Sequence, residues 1–257
     1  MKKIVVAPDS FKGSLTSAEV ADAVERGIKD VFPQCNVVKA GVADGGEGTV
    51  EAIVKAVGGD MYAASVTDPL GRPVKAAYGI VRSGGVKTAV MEMSAASGLP
   101  LLLPDELNPW ITSTYGTGEM ISDALNRGCR KFLVGIGGSA TNDAGTGMLS
   151  ALGVRFLDSS GQRLKGCGRD LESIARIDMS SLMPAARESE FIVACDVNTP
   201  FCGPDGAARV FAPQKGADPQ TAEALDRGMR SFARVIAGQF QTDRGPLSGA
   251  GAAGGLG

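Results

Sequence analysis

Between Phe132 and Gly147 the chain reads FLVGIGGSATNDAGTG: an apolar run, a glycine-rich loop and the first residues of a helical pattern. That order forces a buried strand to hand over to a helix through a tightly bent backbone, a task glycines perform because they accept positive φ and close approach. Loops of this kind hold anions, since unpaired amides at a helix N-terminus point toward negative charge. Asp143 is the odd residue, an acid where a phosphate would sit. Either it caps the following helix or it meets a phosphate through a divalent cation.

The same strand-to-helix step recurs along the chain. Ile4 to Ala7 reads as a short buried strand, and Thr16-Ser17-Ala18-Glu19 is a capping box opening a helix with Val20, Val24, Ile28 and Val31 on one face. Val37 to Val42 reads as a second strand, followed by a helical stripe of Val50, Ile53, Val54 and Val57 that stops at Gly58-Gly59. From Met61 to Met93 the texture changes to short alternating runs, Ala76 to Val81 and Thr88 to Met93, around Arg82-Ser83-Gly84-Gly85, which is hairpin material. Thr117 to Arg127 is a helix closed by Gly128, Lys131 to Ile136 a strand, and Asp143 to Leu152 a helix. Val154 to Leu157 and Glu190 to Ala194 are strands, and Asp218-Pro219 opens a helix through Leu225, Met229, Phe232 and Ile236 that Gly238 stops. The alternation predicts an α/β fold with a mainly parallel sheet and helices on both faces, its core at 1–59 and 111–257, with 60–110 an antiparallel insertion or the start of a second domain.

In such a sheet, ligands gather at the carboxyl ends of the strands. Four predicted strands deliver an aspartate there: Asp9-Ser10-Phe11-Lys12, Asp44-Gly45-Gly46-Glu47-Gly48, the loop ending in Asp143, and Cys195-Asp196-Val197-Asn198. Each has a plainer reading. Asp9 can form an Asx turn, Lys12 can be a solvated loop lysine, and Asp44 with Glu47 can cap a helix, though the paired glycines exceed what a cap requires.

Composition removes several chemistries. The chain has no histidine, so imidazole bases, Ser-His or Cys-His nucleophiles and H-E-x-x-H metal sites are excluded. A hard metal would have to be held by carboxylates, carbonyls and water, which favours magnesium-like ions. The five cysteines contain no C-x-x-C, which fits reduced thiols in a cytosol rather than a disulfide framework or zinc site. Lys plus Arg number 26 against 28 Asp plus Glu, without blocks of like charge, so the expected partners are small molecules and not nucleic acid or a membrane. The run Ile4 to Ala7 is too short for a signal-peptide core, and no stretch approaches membrane-spanning length.

Two nucleotide readings compete. Gly135-x-Gly137-x-x-Ala140, with Asp158 about twenty residues on, partly matches the dinucleotide fingerprint and would suit a nicotinamide-dependent dehydrogenase or sensor. Asn142-Asp143 would crowd a pyrophosphate with extra negative charge, and no Walker or protein-kinase signature occurs.

Ala7 to Ser14 (APDSFKGS), Val42 to Thr49 (VADGGEGT), Gly135 to Asp143 (GIGGSATND), Ala194 to Val197 (ACDV) and Phe211 to Ala217 (FAPQKGA) closely resemble, in order, motifs of the bacterial glycerate kinases. The closing Gly249 to Gly257 resembles a further family motif. Members of that family are longer, so the resemblance implies that a C-terminal part is missing. It also implies a two-domain fold, a Rossmann-like sheet with a second, smaller α/β domain, and magnesium-dependent phosphoryl transfer from ATP to D-glycerate in a cytoplasmic enzyme. The implied product is 2-phosphoglycerate, with 3-phosphoglycerate second. On that basis Lys12 and Lys215, with Arg209 in reserve, are cations for the glycerate carboxylate or the transferring phosphate. Asp9, Ser10, Gly45 and Gly46 line the substrate, while Gly137, Gly138, Ser139, Thr141 and Asn142 line the nucleotide phosphates. Asp143 contacts magnesium, and Asp196, in competition with Asp44, is the base for the substrate hydroxyl.

Overall fold

A computed structural model describes residues 3–8, 11, 14–40, 48–243 and 245–257. Its central sheet is mixed, with strand order β3-β4-β5-β6-β9. The strands are β3 (Gly59–Thr67), β4 (Pro73–Ser83), β5 (Val86–Glu92), β6 (Lys131–Gly135) and β9 (Glu190–Ala194). The ladders β3-β4-β5 are antiparallel and β5-β6-β9 parallel. β1 (Lys3–Val6) and β2 (Asn36–Lys39) form a separate parallel pair, and β7 (Arg155–Leu157) and β8 (Arg176–Asp178) a small antiparallel one. The antiparallel region expected at 60–110 therefore does not coincide with a break in hydrogen bonding. β5 pairs with the hairpin on one side and with β6 on the other. The tight turn between β4 and β5 places both Gly84 and Gly85 at positive φ, the geometry that suits a two-residue hairpin.

Alternation along the strands divides the core. Ile80, Ala89, Met91, Phe132 and Val134 face helix α4 (Tyr115–Asn126), whose Met120, Ile121, Ala124 and Leu125 are buried against them. Val81 and Val90 face the other way, onto Val50 of α2 (Thr49–Val57). Helices thus cover both faces, as the sequence pattern predicts. The remaining helices are α1 (Ser17–Val31), the single turns α3 (Ser94–Ser97) and α6 (Pro184–Arg187), α5 (Thr146–Ala151), α7 (Ala207–Phe211) and α8 (Pro219–Phe240). A further apolar cluster joins β7, β8, α7 and α8 through Phe156, Ile177, Ala207, Leu225, Met229 and Phe232.

Several local predictions need adjustment. The Thr16-Glu19 capping box forms with both reciprocal bonds, yet only Val20 of the predicted α1 stripe is buried, while Val24 and Val31 lie exposed. α8 passes the glycine expected to stop it and ends at Phe240, because Gln239 is held by both backbone groups of Ile177. The closing segment, 249–257, packs into the fold. Ala252 and Gly254 are buried, and Ala253, Gly254 and Gly255 take successive positive φ values.

Candidate active site

The loop after β6 is built around Asp143. Its Oδ2 accepts the amide and hydroxyl of Thr114, each at 2.8 Å, and the amide of Gly147 at 3.2 Å, while Oδ1 accepts the Gly145 amide at 3.2 Å. α5 therefore starts at Thr146, three residues later than predicted, with the Asp143 carboxylate filling the amide nest ahead of it. The anion of this anion loop is its own side chain. Thr114 reaches Asp143 because α4 packs closely on α5: a Cβ on Gly118 would run into the Met148 carbonyl. The Thr114 hydroxyl also accepts the Met148 amide at 2.9 Å, tying the two helix starts together. Burial pushes the Asp143 carboxyl above its ordinary range, and the donors from Thr114, Gly147 and Gly145 pull it back.

Lys215 enters this loop from a distant segment. It is 1% exposed, and its Nζ donates to the Ser139 hydroxyl at 2.7 Å and the Thr141 carbonyl at 2.6 Å. Burial depresses the ammonium to about 7, with the nearby Asp143 charge acting in the opposite direction. Thr112 fixes the same stretch from the other side, donating its hydroxyl to the Ala140 carbonyl at 2.8 Å. The segment 248–257 closes over it. Ala144, at φ 52, donates its amide to the Gly254 carbonyl at 3.0 Å, and a Cβ on Gly254 would collide with the Thr141 carbonyl.

Two polar atoms in this tightly bonded loop stay buried without a partner, Thr141 Oγ1 and Asn142 Oδ1. The Asn142 amide nitrogen lies 3.2 Å from the Met229 sulfur. Gly137 and Gly138, in contrast, are exposed, the latter at φ 71. The next parallel strand, β9, leads into the loop Cys195-Asp196-Val197-Asn198. The closing segment meets this loop as well, with Ser248 Oγ donating to Asn198 Oδ1 at 2.9 Å and the Gly251 amide to the Thr199 carbonyl at 2.9 Å. Asp196 is exposed and has no hydrogen-bond or ion-pair partner among the described residues.

Four of the sequence motifs thus meet at the carboxyl ends of β6 and β9: 135–143, 194–197, 211–217 and 249–257. The model of the glycerate kinase family matches residues 4–257. The chain belongs to the glycerate kinase family. It is 49% identical over 255 residues to a glycerate kinase of Haemophilus influenzae and 47% identical over 255 residues to a glycerate 2-kinase of Escherichia coli. Those alignments take in 99% of this chain but 67% and 66% of the relatives, so the chain spans about two thirds of their length. A crystal structure assigned as glycerate kinase 2 from Salmonella typhimurium LT2 superposes with a TM-score of 0.85 at 46% identity, covering 100% of this chain and 68% of that one. Phosphotransferases make up the family to which these relatives belong.

Within the family's motifs, Gly137, Gly138 and Asp196 are exposed, and the other sequence-predicted residues fall into three groups. Ser139, Thr141, Asn142, Asp143 and Lys215 are brought together and buried. Arg209 is drawn aside, its Nε 3.6 Å from the buried Asp226, which also takes Arg230 at 2.9 Å and the Gly203 amide at 2.7 Å. Asp9, Ser10, Lys12, Asp44, Gly45 and Gly46 lie outside the described residues. Sequence reasoning passed over Thr114 and Glu92. Glu92 sits at the carboxyl end of β5 with Oε1 accepting the Val50 amide at 3.0 Å, and its apolar surroundings in sequence, Val90-Met91-Glu92-Met93, were the available signal. Magnesium contact by Asp143 meets a physical obstacle, since the carboxylate is fully enclosed and holds four protein donors. No group of three or more Asp, Glu, Cys or His arranged for a metal occurs among the described residues. Nor is any helix among them long and apolar enough to cross a membrane.

Proposed function

We propose that this chain carries out ATP-dependent phosphorylation of D-glycerate, in the cytoplasm, to give 2-phosphoglycerate. The observation that carries the reading is the Lys215 ammonium crossing from the FAPQKGA motif to Ser139 and Thr141 of the GIGGSATND loop, beside the β9 loop that presents Asp196. The Escherichia coli relative's name supports the 2-hydroxyl as acceptor over the 3-hydroxyl. The dinucleotide reading loses its physical basis. The α5 amides that would hold a pyrophosphate are occupied by Asp143, and Asp158 is spent in a turn on Ser160 and Gln162.

Phosphoryl transfer demands positioning and charge neutralisation more than covalent help from the protein. Gly137 and Gly138 lay the nucleotide phosphates along exposed backbone, with Ser139 behind them, and Thr141 and Asn142 line the loop's inner side. Lys215 and Asp143 fix the shape of that backbone and touch no phosphate themselves. A magnesium ion bound with the nucleotide would supply charge neutralisation at the phosphates, and the enclosed Asp143 carboxylate would not be among its ligands. Asp196, with lone pairs free, accepts the proton of the substrate hydroxyl. Lys12, Asp9, Ser10, Gly45, Gly46 and Asp44 are assigned to glycerate on sequence grounds, with Arg209 in reserve. The test is an assay with ATP, D-glycerate and magnesium, its product read by phosphorus NMR. Magnesium-dependent formation of 2-phosphoglycerate is expected. A 3-phosphoglycerate product would overturn the regiochemistry, and saturable NAD binding without glycerate turnover the whole reading.

A further inference from the structure

A polar hollow lies at the opposite end of the sheet from the β6 and β9 loops. The hollow, of about 280 Å³, is lined by Asp60 and Tyr62 of β3, Ile80 and Arg82 of β4, Lys87 of β5 and Arg127 just beyond α4. Lys87 lies at the amino-terminal end of β5, whereas the loops of the candidate active site follow the carboxyl ends of β6 and β9. Arg82 and Lys87 are direct partners across the β4-β5 ladder, a placement of like charges that sheets avoid. The Arg82 side chain has no hydrogen bond or ion pair among the described residues, and the Lys87 ammonium donates only to the Arg127 carbonyl, at 2.7 Å. Asp123 cannot neutralise them, being committed to the Tyr78 hydroxyl at 2.6 Å and to Arg127 Nε at 2.8 Å. Arg127 lies 4.7 Å above the Tyr62 ring, which stacks on Tyr78, so this wall of the hollow is fixed. Asp60 is the remaining carboxylate, and no cation stands within 4 Å of it among the described residues.

We propose that this hollow binds a small phosphate monoester, separate from the nucleotide and substrate of the candidate active site. Arg82 grips the phosphate with its planar fork, Lys87 adds a point charge, and Asp60 accepts a hydroxyl of the ligand. The volume suits a ligand of a few carbon atoms. Glycerol 3-phosphate, inorganic phosphate and chloride at matched ionic strength are titrated into the full chain while backbone amide shifts are followed by NMR. Saturable shifts of Arg82, Lys87 and Asp60 are expected with both phosphates but not with chloride; tighter binding of glycerol 3-phosphate assigns the site to the organic ester. The R82Q/K87Q double variant should weaken this binding about ten-fold or more, while shifts at Gly137 to Asp143 persist. Asp60→Asn should tighten inorganic phosphate binding, because it removes the one like-charged wall. Shifts confined to the Gly137 loop, an equal response to chloride, or unchanged affinity in R82Q/K87Q would each overturn the proposal.

Discussion

The loops that follow β6 and β9 leave neighbouring parallel strands at the same end of the sheet, yet they are built in opposite ways. In the first, Asp143 is wholly enclosed and its carboxylate takes four donors, while Lys215 ties two further residues. In the second, Asp196 stands exposed and unengaged among the described residues. Two acids predicted from similar surroundings thus have different capacities. A carboxylate whose lone pairs are filled by backbone amides shapes a loop, whereas one with free lone pairs can take a proton or meet an ion. Phosphoryl transfer needs both, a rigid cradle and an acid that is not already spent.

Substitutions should separate the two roles. Asp143→Ala leaves the Thr114, Gly145 and Gly147 donors buried without an acceptor, and denaturant unfolding should show a loss of about 3 kcal/mol. A loss below about 1 kcal/mol would mean that the loop does not depend on this carboxylate. Gly254→Ala places a Cβ against the Thr141 carbonyl at a residue with φ 73. It should cost about 2 kcal/mol and loosen the cradle, visible as faster amide exchange at Thr141 to Ala144. Thr114→Val keeps the shape but removes the hydroxyl between Asp143 and the Met148 amide, for about 1 kcal/mol.

Lys215→Met has the smallest effect on stability and the clearest pH signature. Replacing a buried charge by an apolar chain of similar length should change stability at neutral pH by no more than about 1 kcal/mol. Because the folded-state pKa is depressed to about 7, the unfolded chain binds the extra proton between that value and the ordinary lysine range. Stability should therefore rise with pH from about 7 to about 10, with a slope of at most about 1.4 kcal/mol per unit. In Lys215→Met that rise disappears. Asp143 contributes the opposite sign, since its raised pKa makes stability fall as pH climbs through it. A wild-type pH profile in Lys215→Met would show that the buried ammonium is not what titrates.

What the sequence revealed follows the range of the forces involved. The capping box at Thr16, the Gly84-Gly85 hairpin turn and the strand Glu190–Ala194 depend on residues close in the chain, and they were legible there. The fate of Asp143 depends on Thr114, twenty-nine positions earlier, and that of Lys215 on Ser139, seventy-six positions away. No local pattern carries those pairings. The same reasoning explains α8, where Gly238 is a stop signal only until Gln239 finds Ile177. The motif resemblance named the stretches 135–143, 194–197, 211–217 and 249–257, which the fold brings together, while the contrast between an enclosed Asp143 and an exposed Asp196 came only from their hydrogen bonds.

The contrast between the two loops is tested most directly by Asp196→Asn, with thermal unfolding and glycerate turnover measured on the same preparation. An unfolding temperature equal to wild type is expected, because this side chain holds nothing among the described residues, together with a fall in kcat of about 10²-fold or more. Wild-type turnover in Asp196→Asn, or a loss of stability that accounts for the lost activity, would contradict that contrast.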